Sequence, residues 1–593
     1  MKVSRPWLQK YFEKELSSAE ALGDALTFHA FEIESVENEI LDVKVTPNRG
    51  HDCLSHRGIA KELSAILQLP MKSDPLRHPP TLAPDTEAIT VSVEEPALCP
   101  RFSGCLIKNV RVGPSPEWLR KHLESIGQKS INNIVDATNF VMFDLGQPLH
   151  AFDAGKLSQK SGARALTVRK ARKGEMLTGL DDREYALTPE MLVIANSSDG
   201  SVSSLAGIKG GKQTGIDSAT TEIFLEAANW DGVCIRKTSQ ALKLRTDASQ
   251  RFEQVISPEL TSYGIRAAAD LIVEIAGGEI VGFIDEYPIA AEKKTVQAET
   301  AQINAVLGLT LSDKDVGDAL TRLDLSHVEV AGVFTVHPPF ERLDLSIPED
   351  IAEEVGRIIG YDKVPATSLS PLPDKPEINK DFYAAEQKRE ELVAQGYSEV
   401  FTSAFADIGE RVVANKVDGV RPYLRTTLVD GLRDAVERNG RNKELLGLKD
   451  VKLFEIGTVW KEGREVIMVG LADAGSIREE PLVADEAQAY DDLQLSSTER
   501  YQPFSKYPFI LRDVSMWVPQ ATNEDEILEV IRTNAGELLV RLAKFDVFTK
   551  CEKTSYAFRL IFQSFDRTLT DTDANQRMES VTEALKAKGF EIR

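Results

Sequence analysis

Two groups of residues in this 593-residue chain have types and spacing suited to chemistry. The first is acidic. Asp350, Glu353 and Glu354 stand at i, i+3 and i+4, a spacing that shares one helix face. Asp344 reaches them from the end of a short alternating strand. Ser346 and Glu349 have capping-box spacing, and Pro348 suits a first helical turn. Like charges this close repel, so a cation is a natural partner, and hard carboxylate oxygens suit Mg²⁺. The competing reading is a solvated acidic turn that complements the helix dipole; both stand at this point. The second group surrounds His150. Thr138 and Asn139 sit on a helix, and the turn Gly146-Gln147-Pro148 sets His150 on a rigid loop. Ala206, Gly207, Gly210 and Gly211 form a turn that lets backbone approach a ligand. Glu226 follows directly on a strand. Together these groups can bind a small polar ligand and position a water. Alternatively, His150 and Glu226 are structural polar groups satisfied inside a core.

Familiar catalytic signatures are absent from the sequence. Gly210-Gly211-Lys212 is followed by Gln213, so it is not a P-loop, and there is no H-E-x-x-H and no Ser-His-Asp order. The five cysteines form no C-x-x-C pair, which argues against a zinc knuckle and a disulfide framework. The net charge of −23 disfavours a general nucleic-acid binder. Residues 501–593, with 13 basic and 14 acidic side chains, are close to neutral and mark a distinct module. No run approaches the length of a membrane span, and the charged N-terminal segment does not read as a signal peptide; a cytoplasmic protein is expected.

The elements that must position these residues follow from periodicity and caps. Helices are expected over 7–16, 19–26 and 57–67, with strands over 32–36 and 41–45 joined as a hairpin through Glu37, Asn38 and Glu39. Residues 72–86 read as a linker. The long segment that follows shows helices over 116–126 and 137–144 and strands over 165–169, 191–196 and 222–225. Further helices are expected over 313–323 and 348–359. Residues 370–376 read as a Pro-rich break and 476–499 as an acidic loop. The last module is expected to alternate strands over 514–518 and 556–563 with helices over 524–534 and 572–587, an α+β sandwich.

Many short motifs then point together. They are Val45-Thr46-Pro47-Asn48-Arg49, Leu54-Ser55, Gly58-Ile59-Ala60, Asp136-Ala137-Thr138-Asn139 and Gly146-Gln147-Pro148-Leu149-His150-Ala151-Phe152-Asp153. Leu225-Glu226-Ala227-Ala228, Arg245-Thr246-Asp247-Ala248-Ser249-Gln250-Arg251-Phe252-Glu253, the acidic helix ending at Gly360-Tyr361, and Leu424-Arg425-Thr426-Thr427-Leu428 follow. Leu453-Phe454-Glu455-Ile456-Gly457, Tyr507-Pro508, Arg512-Asp513-Val514-Ser515 and Asp566-Arg567-Thr568-Leu569-Thr570 complete the series. In this order they resemble the bacterial-type β subunit of phenylalanyl-tRNA synthetase over nearly the whole chain.

The resemblance implies an α+β multidomain protein. Its parts would be an N-terminal domain (1–75), a B3/B4-type editing domain (88–290), a B5-type domain (293–367), a catalytically degenerate class II synthetase-like domain (376–499) and a ferredoxin-like anticodon-binding domain (501–593). It also implies a short form, because Glu37-Asn38-Glu39 stands where the common form inserts an oligonucleotide-binding domain. Asp344, Asp350, Glu353 and Glu354 match the family's magnesium ligands, one ion per subunit. Thr138, Asn139, His150, Ala206, Gly210 and Glu226 match an editing pocket that hydrolyses tyrosine wrongly esterified to tRNA(Phe), with Glu226 the acceptor for the tyrosine hydroxyl and His150 orienting substrate or water. No motif 3 is present, so ATP and phenylalanine are expected on a catalytic α subunit, in an α2β2 heterotetramer that binds tRNA(Phe). The alternative is a stand-alone editing hydrolase or tRNA-binding protein.

Overall fold

A computed structural model describes all residues except 161, 372–378, 416–419, 474 and 485–503. The chain forms two compact units, Met1–Ser368 and Leu369–Arg593. Among the described residues, no helix is long and apolar enough to cross a membrane.

The first unit begins with a three-stranded sheet in the order Lys2–Ser4, Ile40–Val43, Ile33–Glu37. The last two strands form the expected hairpin. Its turn is only Asn38 and Glu39, with φ of 49° and 65°, the left-handed pair that matches strand twist. Helices Ala19–His29 and His56–Leu67 cover the sheet. The second of them is capped by Ser55, whose Oγ accepts from Gly58 N at 2.9 Å. The helix expected over 7–16 is shorter: Arg5–Leu8 followed by a 3₁₀ turn, Gln9–Tyr11.

Two sheets and a helical layer follow. An antiparallel sheet runs in the order Glu279–Glu286, Arg101–Lys108, Glu222–Asn229, Leu149–Asp153. Helices Asn133–Leu145 and Leu260–Ala276 cover one face. The former starts earlier than its periodicity suggested because Asn132 caps it, accepting from Ile134 N and Val135 N. The other face packs on a mixed sheet that includes Ala163–Lys170, Leu192–Asn196 and Val202–Leu205. Because side chains alternate along a strand, each strand of the first sheet feeds two cores. Ile223, Leu225 and Ala227 enter the helix-side core, and Phe224 and Ala228 enter the core between the sheets.

The first unit ends with a small sheet, Val296–Glu299, Val333–His337, Ser326–Val330, and three helices, of which Pro348–Ile359 is the last. That helix joins the N-terminal helices through buried charges. Arg49 bonds Glu62 at 2.6 Å and Asp52 at 2.7 Å, and Arg357 bonds Glu62 at 2.6 Å and Glu354 at 2.7 Å. Arg342 bonds Glu354 at 2.8 Å and Asp344 at 2.6 Å. Beside it, Arg57 pairs with Asp74 and Glu341, and Arg77 with Glu341 at 2.8 Å.

The second unit holds a sheet in the order Ser398–Glu399, Leu453–Lys461, Arg464–Asp473, Ser476–Pro481, flanked by helices Lys380–Ala394 and Val429–Gly440. Part of the loop expected over 476–499 is thus a strand, and 485–499 lie outside the described residues, as does most of the Pro-rich break. Its C-terminal module is a four-stranded antiparallel sheet, Leu539–Lys550, Lys553–Phe562, Ile510–Pro519, Glu591–Ile592, with helices Glu524–Ala535 and Asp571–Ala587 on one face.

Glu62 measures the worth of the buried charges. Burial alone would raise its carboxyl, but Arg357 and Arg49 outweigh burial and hold it below its usual 4.5. The stability it contributes is therefore complete above pH 4.5 and lost as pH falls. Glu62→Ala is expected to cost the first unit about 3–5 kcal/mol at pH 7, because it removes one of the two buried carboxylate partners of both Arg49 and Arg357. Chemical denaturation of both proteins checks this; a change below about 1 kcal/mol would mean the network is solvent-screened.

Candidate functional site

His150 and Glu226 face each other across the pair of strands Leu149–Asp153 and Glu222–Asn229. His150 was expected on a rigid loop and Glu226 just after a strand. The Glu226 strand runs four residues further than its apolar stretch suggested, and the His150 loop is itself an edge strand. The Gly146-Gln147-Pro148 turn is pinned by Gln147, whose Nε2 donates to Pro148 O at 2.8 Å and Ala228 O at 3.0 Å. Strand alternation sends both functional side chains into the core between the two sheets, where the His150 ring meets Phe152 edge-on at 4.5 Å.

Neither side chain finds a full set of partners. Glu226 is 6% exposed, and its Oε2 and the Nε2 of His150 are both sealed from solvent without a hydrogen bond. Burial pushes the Glu226 carboxyl up to about 8 and the His150 imidazole down to about 4. At pH 7 the pair is a neutral acid facing a neutral imidazole. A neutral acid offers one O–H donor and keeps acceptor capacity. Unpaired buried polar atoms are uncommon and costly, and these two keep hydrogen-bonding capacity that no described protein group fills, as do Gln147 Oε1 and Ser203 Oγ.

Gly210 closes on His150: a methyl group there would stand 2.7 Å from Nε2. Ala206 is buried in the same inter-sheet core. Between them Gly207, at φ +67°, lies so close to Trp230, Ile235 and Phe252 that no side chain fits. Thr138 and Asn139 stand on a helix whose apolar residues pack on the other face of the sheet, and Thr138 Oγ1 donates to Val135 O at 2.7 Å. The structure also brings in Cys99, whose thiol is pushed up by burial and then by Glu226 nearby. Nothing in the spacing of Cys99 foretold this; only the strand order makes it a neighbour.

The acidic group divides. A cavity of about 380 Å³ is lined by Asn48, His51, Asp344, Leu345, Asp350 and Glu353, among others. Asp344 sits in a turn rather than at a strand end, and it accepts from Arg342 and from His51 Nε2 at 2.9 Å. Asp350 Oδ2 accepts from Ser346 N at 2.7 Å and Ile347 N at 2.9 Å, so Asp350, not Glu349, caps the helix. Glu353 is exposed at the cavity. Glu354 turns the other way, into Arg342 and Arg357. Among the described residues, no three of these four bring ligand atoms within 4.8 Å of one another; Asp52, Cys53 and Glu62 do, but Arg49 bonds all three. The oxygens of Asp344, Asp350 and Glu353 suit a hydrated Mg²⁺. Glu354 does not line that cavity and accepts from Arg342 and Arg357, whereas Asp344 lines it while also accepting from Arg342 and His51.

A third surface lies on the open sheet face of the C-terminal module. Trp517 stands beside Phe548 with ring centroids 6.2 Å apart, Arg593 lies over Trp517, and Arg559 lies over Phe545. Aromatic faces beside arginines have the chemistry on which bases stack, although Arg559 also pairs with Asp513 and Glu444.

Four family models match the chain in order. They are the B3/4 domain over residues 98–277, the tRNA synthetase B5 domain over 296–361, the phenylalanyl tRNA synthetase beta chain CLM domain over 365–491 and the ferredoxin-fold anticodon binding domain over 505–593. The chain is 31% identical to the phenylalanine–tRNA ligase beta subunit of Moorella thermoacetica, over 94% of this chain and 80% of that one. It is 32% identical to that of Carboxydothermus hydrogenoformans, over 93% and 80%. A solved N-terminal fragment of the phenylalanyl-tRNA synthetase beta subunit from Pyrococcus horikoshii aligns with 60% of this chain and 99% of the fragment, at a TM-score of 0.36 and 16% identity.

The raised Glu226 carboxyl sets a pH signature. The folded state prefers the protonated form, so this contribution to stability is complete below pH 4.5 and is lost as pH rises through about 8. Glu226→Gln keeps a neutral side chain at every pH. Its melting temperature is expected to fall less between pH 6 and pH 9 than that of the unaltered protein, whose extra slope reaches about 1.4 kcal/mol per pH unit. Parallel profiles would show that Glu226 ionises freely.

Proposed function

This chain belongs to the family of phenylalanine–tRNA ligase β subunits, and from that premise we propose that it carries tRNA(Phe) for a class II catalytic α subunit and hydrolyses Tyr-tRNA(Phe) in the chamber of Glu226 and His150. The observation that supports the hydrolase is the pair of sealed, unpartnered polar atoms on facing strands of an otherwise apolar core.

The chemistry follows from the neutral pair. A tyrosine entering the chamber brings a phenol hydroxyl that can both donate to and accept from the Glu226 carboxyl. A phenylalanine brings nothing and leaves the acid unpaired, a loss of ~1–3 kcal/mol. A synthetic pocket that must admit phenylalanine rejects the hydroxyl only weakly, so a second site that rewards the hydroxyl corrects the error. In the hydrolysis, water adds to the ester carbonyl carbon, the bond to the ribose oxygen breaks, and the ribose oxygen takes a proton. His150, neutral and with a sealed Nε2, is a weak base, and its part is to orient the water or the ester by hydrogen bonding. Gly210, having no side chain, lets the turn lie against Nε2.

ATP and phenylalanine bind the α subunit in this reading, within an α2β2 assembly in the cytoplasm, and the five domains carry the bounds expected from sequence. The platform of Trp517, Phe548 and Arg593 is the anticodon-facing surface. Asp344, Asp350 and Glu353 would hold Mg²⁺, which would neutralise their mutual repulsion.

Two outcomes test this. With the partner α subunit, Glu226→Ala is expected to slow Tyr-tRNA(Phe) hydrolysis by about 10- to 100-fold while Phe-tRNA formation stays within about twofold. Unchanged hydrolysis would remove Glu226 from the site, and failure to charge tRNA with α would leave the stand-alone alternative. For the metal, Glu353→Gln is expected to weaken Mg²⁺ binding in calorimetry, whereas Glu354→Gln is expected to lower stability and leave the isotherm in place. The reverse pattern would return Glu354 to the ligand set.

A further inference from the structure

The helix Gly232–Leu242 presents a face that the chemistry above leaves unused. Arg236, Ser239 and Gln240 stand at i, i+3 and i+4 on one side of the helix, and Lys243 follows as its left-handed C-cap. With Arg245 they line a cavity of about 440 Å³, in which Glu253 is the one acidic residue. Arg236 and Lys243 are exposed, and among the described residues neither side chain makes a hydrogen bond or an ion pair. Arg245 reaches Glu253 at 3.0 Å while remaining 66% exposed. In a chain of net charge −23, two unpaired cations beside a concavity stand out.

Its position gives it a purpose. Thr246, next to Arg245, donates through Oγ1 to Ile208 O at 3.2 Å. Ile208 lies in the turn between Ala206 and Gly210, and Gly210 abuts His150. Two residues of chain, roughly 7 Å when extended, separate Ile208 from Gly210. The cationic cavity therefore adjoins the turn that abuts His150.

We propose that this cavity grips backbone phosphates of the RNA strand whose 3′ end delivers the aminoacyl ester to Glu226 and His150. The proposal rests on the hydrolase reading and deepens it. The match is one of charge and reach. Arg236 and Lys243 supply positive charge without a protein partner, and Arg245 a fork geometry suited to phosphate. The amide of Gln240 adds a neutral donor for ribose or phosphate oxygen.

The test is the double variant Arg236→Gln with Lys243→Gln in the full-length protein joined to its α subunit. Both residues are exposed, and glutamine at 243 keeps the same left-handed backbone demand as lysine. At about 50 mM salt, KM for Tyr-tRNA(Phe) in deacylation is expected to rise on the order of tenfold with kcat unchanged, and the slope of log KM against log salt to fall by roughly 1.4, two single-strand phosphate contacts. Arg236→Lys with Lys243→Arg is expected to restore both. An unchanged KM and slope would overturn the proposal, as would an equal rise in KM for charging, which would mark a general attraction for tRNA. A second readout separates this idea from the one beneath it: binding of a CCA-ended acceptor-stem minihelix to the full chain by fluorescence anisotropy. If the unaltered protein fails to hydrolyse Tyr-tRNA(Phe), the hydrolase reading falls, and minihelix affinity alone decides the phosphate grip. Equal affinity in the double variant sinks it.

Discussion

Glu62 and Glu354 lie between Arg49, Arg342 and Arg357, and much of the first unit depends on that arrangement. Removing an ion from water costs several kcal/mol, and attraction repays it only when the partners are all in place. Here the partners come from two modules distant in sequence: Arg49, Asp52 and Glu62 from the first, Arg342, Asp344, Glu354 and Arg357 from the last. No subset is comfortable in an apolar interior. The modules therefore dock in one relation, and the helix Pro348–Ile359 is held with Glu354 inward and Glu353 outward.

The same unit solves the burial of polar groups in a second way. At Glu226 and His150 no counter-charge arrives, and burial itself removes the charge, raising the acid and lowering the imidazole. The two solutions suit different tasks. Paired ions are fully satisfied and have nothing left to offer a ligand. A discharged acid and imidazole keep unused hydrogen-bonding capacity, which a substrate can complete. A phenol hydroxyl matches a neutral carboxyl better than a carboxylate, since both members then donate and accept.

Much of this was legible in the sequence where local chemistry decides the outcome. Pro348 in a first turn and the Glu37-Asn38-Glu39 link between strands each declared its element. What escaped reading was decided by tertiary neighbours. Glu353 and Glu354 sit about 100° apart on a helix, so i, i+3, i+4 spacing permits a shared face without requiring it, and Arg342 and Arg357 drew Glu354 inward. The Glu226 strand outran its apolar run because its later residues serve two cores. The strand Leu539–Lys550 went unseen because two register shifts break its alternation and its outer residues are exposed. Thr138 and Asn139 adjoin His150 in sequence, yet the apolar residues of their helix feed one core while the His150 ring meets Phe152 in the other. Cys99 was the converse, remote in sequence and adjacent in space.

The two-residue turn at Asn38 and Glu39 has an architectural meaning. Glu37 and Ile40 pair directly, so the chain leaves and re-enters the sheet at adjacent points. Any segment grafted there needs only that its own ends meet, and the entropy of closing a longer loop grows slowly with its length. Glu39 meanwhile is tied down by Arg5 at 3.0 Å, which offsets the strain of its left-handed backbone. The hairpin is thus a modular port: a whole domain can be present or missing at its tip while the sheet beneath keeps the same register. Gain or loss of a nucleic-acid-binding module at this point becomes an exchange at the periphery, with the ionic core as its fixed chassis.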